Sequence, residues 1–236
     1  IEELIHSLKP LITPELANEI DGRKIGVVAA AKDKRSAFED SVAAKWDNKP
    51  MSPARMMSEL ADALPDNAIV VDDSISNRAT MRHYFQGQKR GDLRAFRGQS
   101  IGGGIGTTMG TAVANPDRPV FGIIGDGSAM MTIQGLWTAA NDNIPCIFVI
   151  CNNGMYRVLK VNFDVYQREI LQQKESSGEN LPYSDFPTPF DVSAVATSMG
   201  VHGERITDPA EIAPAVQRAV ASGKPAVLDI VIDGSL

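Results

Sequence analysis

Cysteine is scarce in this chain, with only Cys146 and Cys151 among 236 residues. That excludes a small scaffold stapled by disulfides. Both fall on one predicted strand, where an offset of five puts them on opposite faces and out of reach of each other. Buried free thiols in a reducing, cytoplasmic compartment are the expectation. No long basic run occurs and the net charge is −6, which argues against nucleic acid and against anionic membrane surfaces as partners. Apolar runs are also short. The stretch at 145–151 is typical, far below the roughly 20 residues that a bilayer-spanning helix needs. What remains is ordinary globular composition, 43% hydrophobic and 22% charged, with length for one large core and a small appendage.

The chain starts on Ile1, and no signal-peptide pattern follows. Residues 1–12 read as a short amphipathic helix (Ile1, Leu4, Ile5, Leu8), expected to be the last helix of a preceding domain. Residues 13–50 are polar and charge-rich, with Lys32, Asp33, Lys34, Arg35, Glu39 and Asp40 in close succession. They read as a linker with a helix over 35–47. The expected division is therefore 1–50, a remnant of a preceding central domain plus linker, and 51–236, the main domain.

Ser52 is a plausible N-cap with Pro53 at the first helical position, which predicts a helix over 53–64. A strand over 67–71 and a helix over 76–84 follow. From residue 100 the pattern alternates. A Gly-rich turn (Gly102, Gly103, Gly104) opens a helix to residue 114. Next come a strand over 119–124, a helix over 132–143 and a strand over 146–151. Later elements are a helix over 191–199, a short strand near Val201, a helix over 209–222 and a strand over 226–232. Asp208 with Glu211 forms a capping box, and Gly223 ends that helix. Continuous apolar strands alternating with helices predict an α/β fold, an open parallel sheet with helices on both faces. The stretch at 153–189 breaks the rhythm. It is helix-compatible to residue 172 and then polar from Lys174 to Leu181, where high mobility without ligand is expected.

In open α/β sheets, ligands bind beyond the carboxyl ends of the strands. Two polar clusters sit there: Gly125-Asp126-Gly127-Ser128, and Asn152-Asn153. Glycines let a ligand approach the backbone closely. Asp126 and Asn153 offer hard oxygens from adjacent strand ends, suited to Mg²⁺ shared with phosphate groups. Each cluster alone is more often a turn. Their joint occurrence carries the signal.

Gly125-Asp126-Gly127 followed by Asn152-Asn153 resembles the thiamine-diphosphate signature. Gly125 to Ala129, Gly135-Leu136-Trp137 and Asn152 to Tyr156 most resemble benzoylformate decarboxylase and related 2-oxo acid decarboxylases, with acetolactate synthase next nearest. The resemblance covers roughly 52–232 and implies the thiamine-diphosphate-binding fold. It implies a lyase or carboligase that uses thiamine diphosphate and Mg²⁺ on a small 2-oxo acid, as a homodimer or homotetramer. By the same resemblance, Asp126 and Asn153 would bind the metal by side chain and Met155 by its backbone oxygen. Gly127 and Ser128 would hold the diphosphate, Ser76 would add a contact to it, and Gly125, Ala129 and Tyr156 would belong to the cofactor-binding set. Gly103 would take the pyrimidine amino group through its carbonyl. Gly104 follows it, and Ile105 would wedge the cofactor into a bent shape; its alternative reading is an ordinary core residue. Ile75 stands where the decarboxylases often have a hydroxyl residue. Arg157 replaces a common glycine and would either select an acidic or polar substrate or point to solvent. His6, His83 and His202 match no acid or base of the family. The glutamate that activates the pyrimidine is expected in a separate domain, so this chain alone is expected to be inactive.

Two other readings stand beside this one. Gly98, Gly102, Gly104 and Tyr156-x-x-x-Lys160 resemble fragments of short-chain dehydrogenases, but a strand and helices precede the glycines and the Tyr and Lys follow Asn152-Asn153 too closely. A non-catalytic domain that binds a diphosphate ligand is the other alternative.

Overall fold

The computed structural model describes residues 1–85, 92–95, 100–173 and 178–235. The chain divides into two units, Ile1–Lys45 and Trp46–Leu236.

The first unit holds α1 (Glu2–Leu8), a 3-10 turn (Lys9–Leu11) and α2 (Pro14–Ala44). Here the sequence reading needs correction. Residues 14–44 are one continuous helix, not a linker with a helix only from residue 35. Thr13 caps it by accepting from the Leu16 amide, and Pro14 occupies the first helical position. Ala, Glu, Lys and Arg are good helix formers wherever they face. The absence of an apolar stripe, not of helix propensity, is what made the stretch look irregular. No residue of α2 is buried.

The second unit begins with α3 (Pro53–Ala63), capped by the Ser52 hydroxyl on the Arg55 amide. Then come β1 (Ile69–Asp73), a 3-10 turn (Ile75–Asn77), α4 (Arg78–Phe85), β2 (Asp92–Ala95), α5 (Gly104–Ala114), β3 (Val120–Gly125), α6 (Asp126–Met131) and α7 (Gly135–Asn141). The chain continues through β4 (Cys146–Asn152), α8 (Arg157–Val165), a π-helical turn (Tyr166–Ile170), α9 (Val192–Ser198), β5 (His202–Ile206), α10 (Ile212–Ser222) and β6 (Ala226–Val231). Asp208 accepts from the Ala210 amide ahead of α10, and Gly223 ends that helix in the left-handed conformation at φ 60°.

The six strands form one parallel sheet in the order β2-β1-β3-β4-β6-β5. Two cores cover its faces. One unites Met56, Met57 and Leu60 of α3 and Val216 of α10 with Phe121 and Cys151; the other unites Ile105, Leu136 and Val192 with Phe148 and Cys146. The two cysteines are thus free, buried and in different cores. From β1 the chain turns to β2 on one side and to β3 on the other. The crevice where direction reverses lies at the carboxyl ends of β1 and β3, the usual ligand position.

Three details differ from the sequence reading, one being α6, whose residues 126–131 fall on a Gly-containing strand-end cluster too short to show a helical period. Strand β2 has no counterpart in it, because Asp92-Leu93-Arg94-Ala95 is too short and too charged to show a period. Strand β1 ends at Asp73, two residues beyond the expected end. Both aspartates tolerate burial because each is hydrogen-bonded. In the long insertion, the helix-compatible part is α8 and its π-helical extension. Of the polar stretch at 174–181, residues 174–177 lie outside the described residues, while Gly178 is buried against the Lys160 carbonyl. Gly98 of the dehydrogenase-like fragment also lies outside them. No described helix is long and apolar enough to cross a membrane.

Candidate cofactor site

Three strand ends converge on one cleft. From the end of β1 come Ser74, Ile75, Ser76 and Asn77; from β3, Gly125, Asp126, Gly127 and Ser128; from β4, Cys151, Asn153, Met155 and Tyr156. In sequence these segments are far apart. Parallel pairing brings them together, since Asp73 registers with Ile124 and Gly125 with Cys151.

Asp126 is buried at the first turn of α6. Its Oδ1 accepts from the Gly127 amide at 2.8 Å and its Oδ2 from the Gly154 amide at 2.7 Å. Burial nevertheless dominates and pushes its carboxyl up to about 6. A desolvated anion of this kind invites a cation. Asn153 shares the cleft, its Oδ1 accepting from the Met155 amide at 3.2 Å. Among the described residues no group of three or more His, Cys, Asp or Glu is placed to hold a metal. A cation here would rest on one carboxylate, one amide oxygen, a carbonyl and ligand oxygens, the donor set that suits Mg²⁺ beside phosphates.

Gly127 shows why the motif needs glycine. A Cβ there would come within 2.4 Å of Tyr156 Cε1. Tyr156 in turn meets Phe186 edge-on at 4.8 Å, and Phe186 packs on Phe190. The Tyr156 amide donates to the Ser184 carbonyl and the Phe186 amide to the Gly154 carbonyl. The end of the insertion therefore straps across the 154–156 loop, and Lys160, buried on α8, pairs with Asp185 at 2.7 Å. The Tyr and Lys of the dehydrogenase-like fragment are thus engaged with the strap.

The other expected residues fall in two groups. Ser76, Gly125, Asp126, Gly127, Ser128, Asn153, Met155 and Tyr156 line the cleft. Gly103, Gly104, Ile105 and Ala129 do not. The Gly103 carbonyl accepts from the Thr107 amide as α5 begins. Ile105 is buried in the core close to Gly135, and Ala129 is buried in the same core. Arg157 is half-buried, and its Nε donates to the Ser235 carbonyl at 3.0 Å. His6, His83 and His202 are all exposed.

Sequence reasoning missed several residues. Asp73 is fully buried; its Oδ2 accepts from the Ser128 hydroxyl at 2.5 Å and the Gly104 amide at 2.9 Å, and burial raises its carboxyl. Asn77 lines the cleft and hydrogen-bonds Cys151. Asn152 donates to Asp229 Oδ1 and to the Phe190 carbonyl, both at 2.8 Å. Asn152 belongs to the pair that the sequence offered, with this partner unforeseen; for Asp73 and Asn77 the one available signal was position, at the end of β1 and in the turn after it, beside the switch point.

Comparison with known proteins agrees with this geometry. Residues 76–230 match the family model for the thiamine pyrophosphate enzyme C-terminal TPP-binding domain. The Mycobacterium tuberculosis protein IlvX, named as an acetolactate synthase large subunit, is 33% identical over 215 residues, covering 86% of this chain and 41% of that protein. Benzoylformate decarboxylase of Pseudomonas aeruginosa is 28% identical over 181 residues, covering 77% of this chain and 32% of that enzyme. The thiamine diphosphate-dependent 4-hydroxybenzoylformate decarboxylase of Rhodococcus jostii RHA1 superposes with a TM-score of 0.68 at 28% identity, covering 79% of this chain and 33% of that one. The chain spans about a third to two-fifths of the length of these relatives. By sequence and fold, this chain belongs to the thiamine pyrophosphate enzymes, within whose architecture it corresponds to the C-terminal TPP-binding domain.

Proposed function

We propose that this chain is the diphosphate- and Mg²⁺-binding portion of a thiamine-diphosphate-dependent decarboxylase of small 2-oxo acids, similar to benzoylformate decarboxylase. The observation that carries the reading is the buried Asp126 beside Asn153 and Met155 in a cleft walled by Gly127. Asp126 and Asn153 would hold the metal by side chain and Met155 by its carbonyl, with the diphosphate between them and Gly127, Ser76 and the backbone of Ser128. The bound cofactor supplies an electron sink for the carbon that loses its carboxylate. The chain's own residues bind and orient. Asp126 offsets cationic charge, the Tyr156–Phe186 pair walls off water above Gly127, and the turn at Gly103 bounds the pyrimidine end. In this reading the protein is cytoplasmic, a homodimer or homotetramer, and needs a separate pyrimidine-binding portion for turnover. The two buried free thiols support a reducing compartment.

Calorimetry tests the metal site. Thiamine diphosphate should bind only with Mg²⁺, and Asp126→Ala should weaken it at least tenfold. Equal affinity in parent and variant removes Asp126 from the site.

A carboligase of the acetolactate synthase type is the second reading, favoured by the 33% identity to the mycobacterial relative. Pyruvate separates the two once the chain is supplied with a pyrimidine-binding portion. A decarboxylase releases acetaldehyde, and a carboligase forms acetolactate.

A further inference from the structure

The Ser128 hydroxyl is not free to meet a phosphate. It donates to Asp73 Oδ2 at 2.5 Å and accepts from the Gly102 amide at 2.7 Å. The same Oδ2 accepts from the Gly104 amide at 2.9 Å. One carboxylate oxygen at the end of β1 thus gathers the start of α6 and both sides of the glycine turn ahead of α5. Thr132, just past α6, completes the clamp by donating from its hydroxyl to the Gly102 carbonyl at 2.8 Å. The packing is tight, since a Cβ on Gly104 would lie 2.7 Å from Asp73 Oδ2 and 2.9 Å from Ile124 Cγ1. Asp73 is fully buried and its Oδ1 has no hydrogen-bond partner among the described residues. Leaving a carboxylate oxygen unpaired in the core is costly, so packing alone gives no reason for an acid here.

Taking the cofactor reading above as its basis, we infer that Asp73 is a positioning residue, acting through Ser128 as a strut that fixes the Gly102–Gly104 turn relative to the Gly125–Ser128 loop. In that reading the diphosphate would lie at the second of these loops and the pyrimidine at the first. The strut therefore sets the span that a bent cofactor must bridge, while the diphosphate itself does not depend on it.

The consequence is a split between two ligands. Inorganic pyrophosphate with Mg²⁺ occupies only the diphosphate loop, whereas thiamine diphosphate with Mg²⁺ spans both. Removing the strut should weaken the second and spare the first. Calorimetry on the full chain compares the parent with Ser128→Ala, Asp73→Ala and Asp73→Asn. Ser128→Ala and Asp73→Ala should weaken thiamine diphosphate by about tenfold to a hundredfold, the range of a charge-assisted hydrogen bond, and pyrophosphate by less than twofold. Asp73→Asn keeps the shape and one acceptor oxygen, so it should recover most of the affinity. Amide exchange gives a readout without ligand, because Gly102, which loses its acceptor, should exchange at least tenfold faster in Ser128→Ala, and Gly104 should do so in Asp73→Ala. If Asp73→Ala does not fold, Ser128→Ala, which keeps the backbone and loses one hydroxyl, carries the test. Equal weakening of both ligands, or unchanged thiamine diphosphate affinity, overturns the strut while leaving the cofactor reading intact. A parent chain that binds pyrophosphate but not thiamine diphosphate overturns that reading and the strut's purpose with it.

Discussion

At Ile75 the backbone adopts φ 44°, a left-handed conformation that crowds a β-branched side chain. The surroundings hold it there. Asp72 Oδ1 accepts from both the Ser74 amide and hydroxyl, and the Asn77 amide donates to the Ser74 carbonyl. Strain of this kind gathers at binding sites, and Ile75 lines the cleft. Asn adopts left-handed backbone more readily than a β-branched residue, so Ile75→Asn should stabilise the fold by about 0.5–1 kcal/mol, less than the strain itself because some apolar contact is lost. A higher urea midpoint with unchanged slope checks this, and a lower one contradicts it. Cys146 gives a pH prediction. Burial raises its thiol from 9.0 to about 12. In that window the unfolded chain releases a proton that the folded chain keeps, so stability is fully present below pH 9 and falls as pH rises toward 12. Cys146→Ala lacks this contribution. The gap in melting temperature between parent and variant should therefore narrow from pH 8 to pH 10.5, and a constant gap would contradict the assignment.

Among the elements, strands β4, β5 and β6 meet in a buried polar knot. Asp229 of β6 is fully buried, and its Oδ2 accepts from Arg205 of β5 at 2.8 Å and from the Val192 amide at 3.0 Å. Asn152 ends β4 and links this knot to the Phe190 carbonyl. Asn152→Ala removes two hydrogen bonds and leaves Asp229 Oδ1 buried without its donor, which should cost about 2–4 kcal/mol. Chemical unfolding of the variant measures it, and a loss below about 0.5 kcal/mol would show the knot to be dispensable. The knot also shows why part of the site was illegible. Asn152-Asn153 reads as a pair, yet only Asn153 lines the cleft; nothing local says that Asn152 turns to an aspartate 77 positions away. By contrast, the Ser52 cap, the Gly223 stop and the apolar strands β3, β4 and β6 were legible, because caps and periodicity are local. The β1 aspartates were read past for the opposite reason. Two adjacent acids look like a loop until their partners, Arg78 for Asp72 and Ser128 for Asp73, are in place. Helix α2 was read as a linker because helicity was sought through an apolar face that it does not have.

For the molecule as a whole, the described residues that line the cleft include no glutamate, and the chain spans only part of its relatives' length. The resemblance assigns activation of the pyrimidine to a glutamate outside this chain's motifs. With saturating thiamine diphosphate and Mg²⁺, the chain alone should release no detectable CO₂ from benzoylformate or pyruvate. Turnover near about 10 per second, ordinary for an enzyme, would mean that the division of labour is misassigned. The placement of Cys146 and Cys151 on opposite faces of central strand β4 has a use beyond packing. Each thiol reports on one helical layer, since a reagent in excess can reach it only when that layer lifts from the sheet. Labelling the folded chain over time and weighing the two cysteine-containing peptides yields two separate opening rates. Rates that coincide would mean that the layers part from the sheet together; rates that differ would name the looser one.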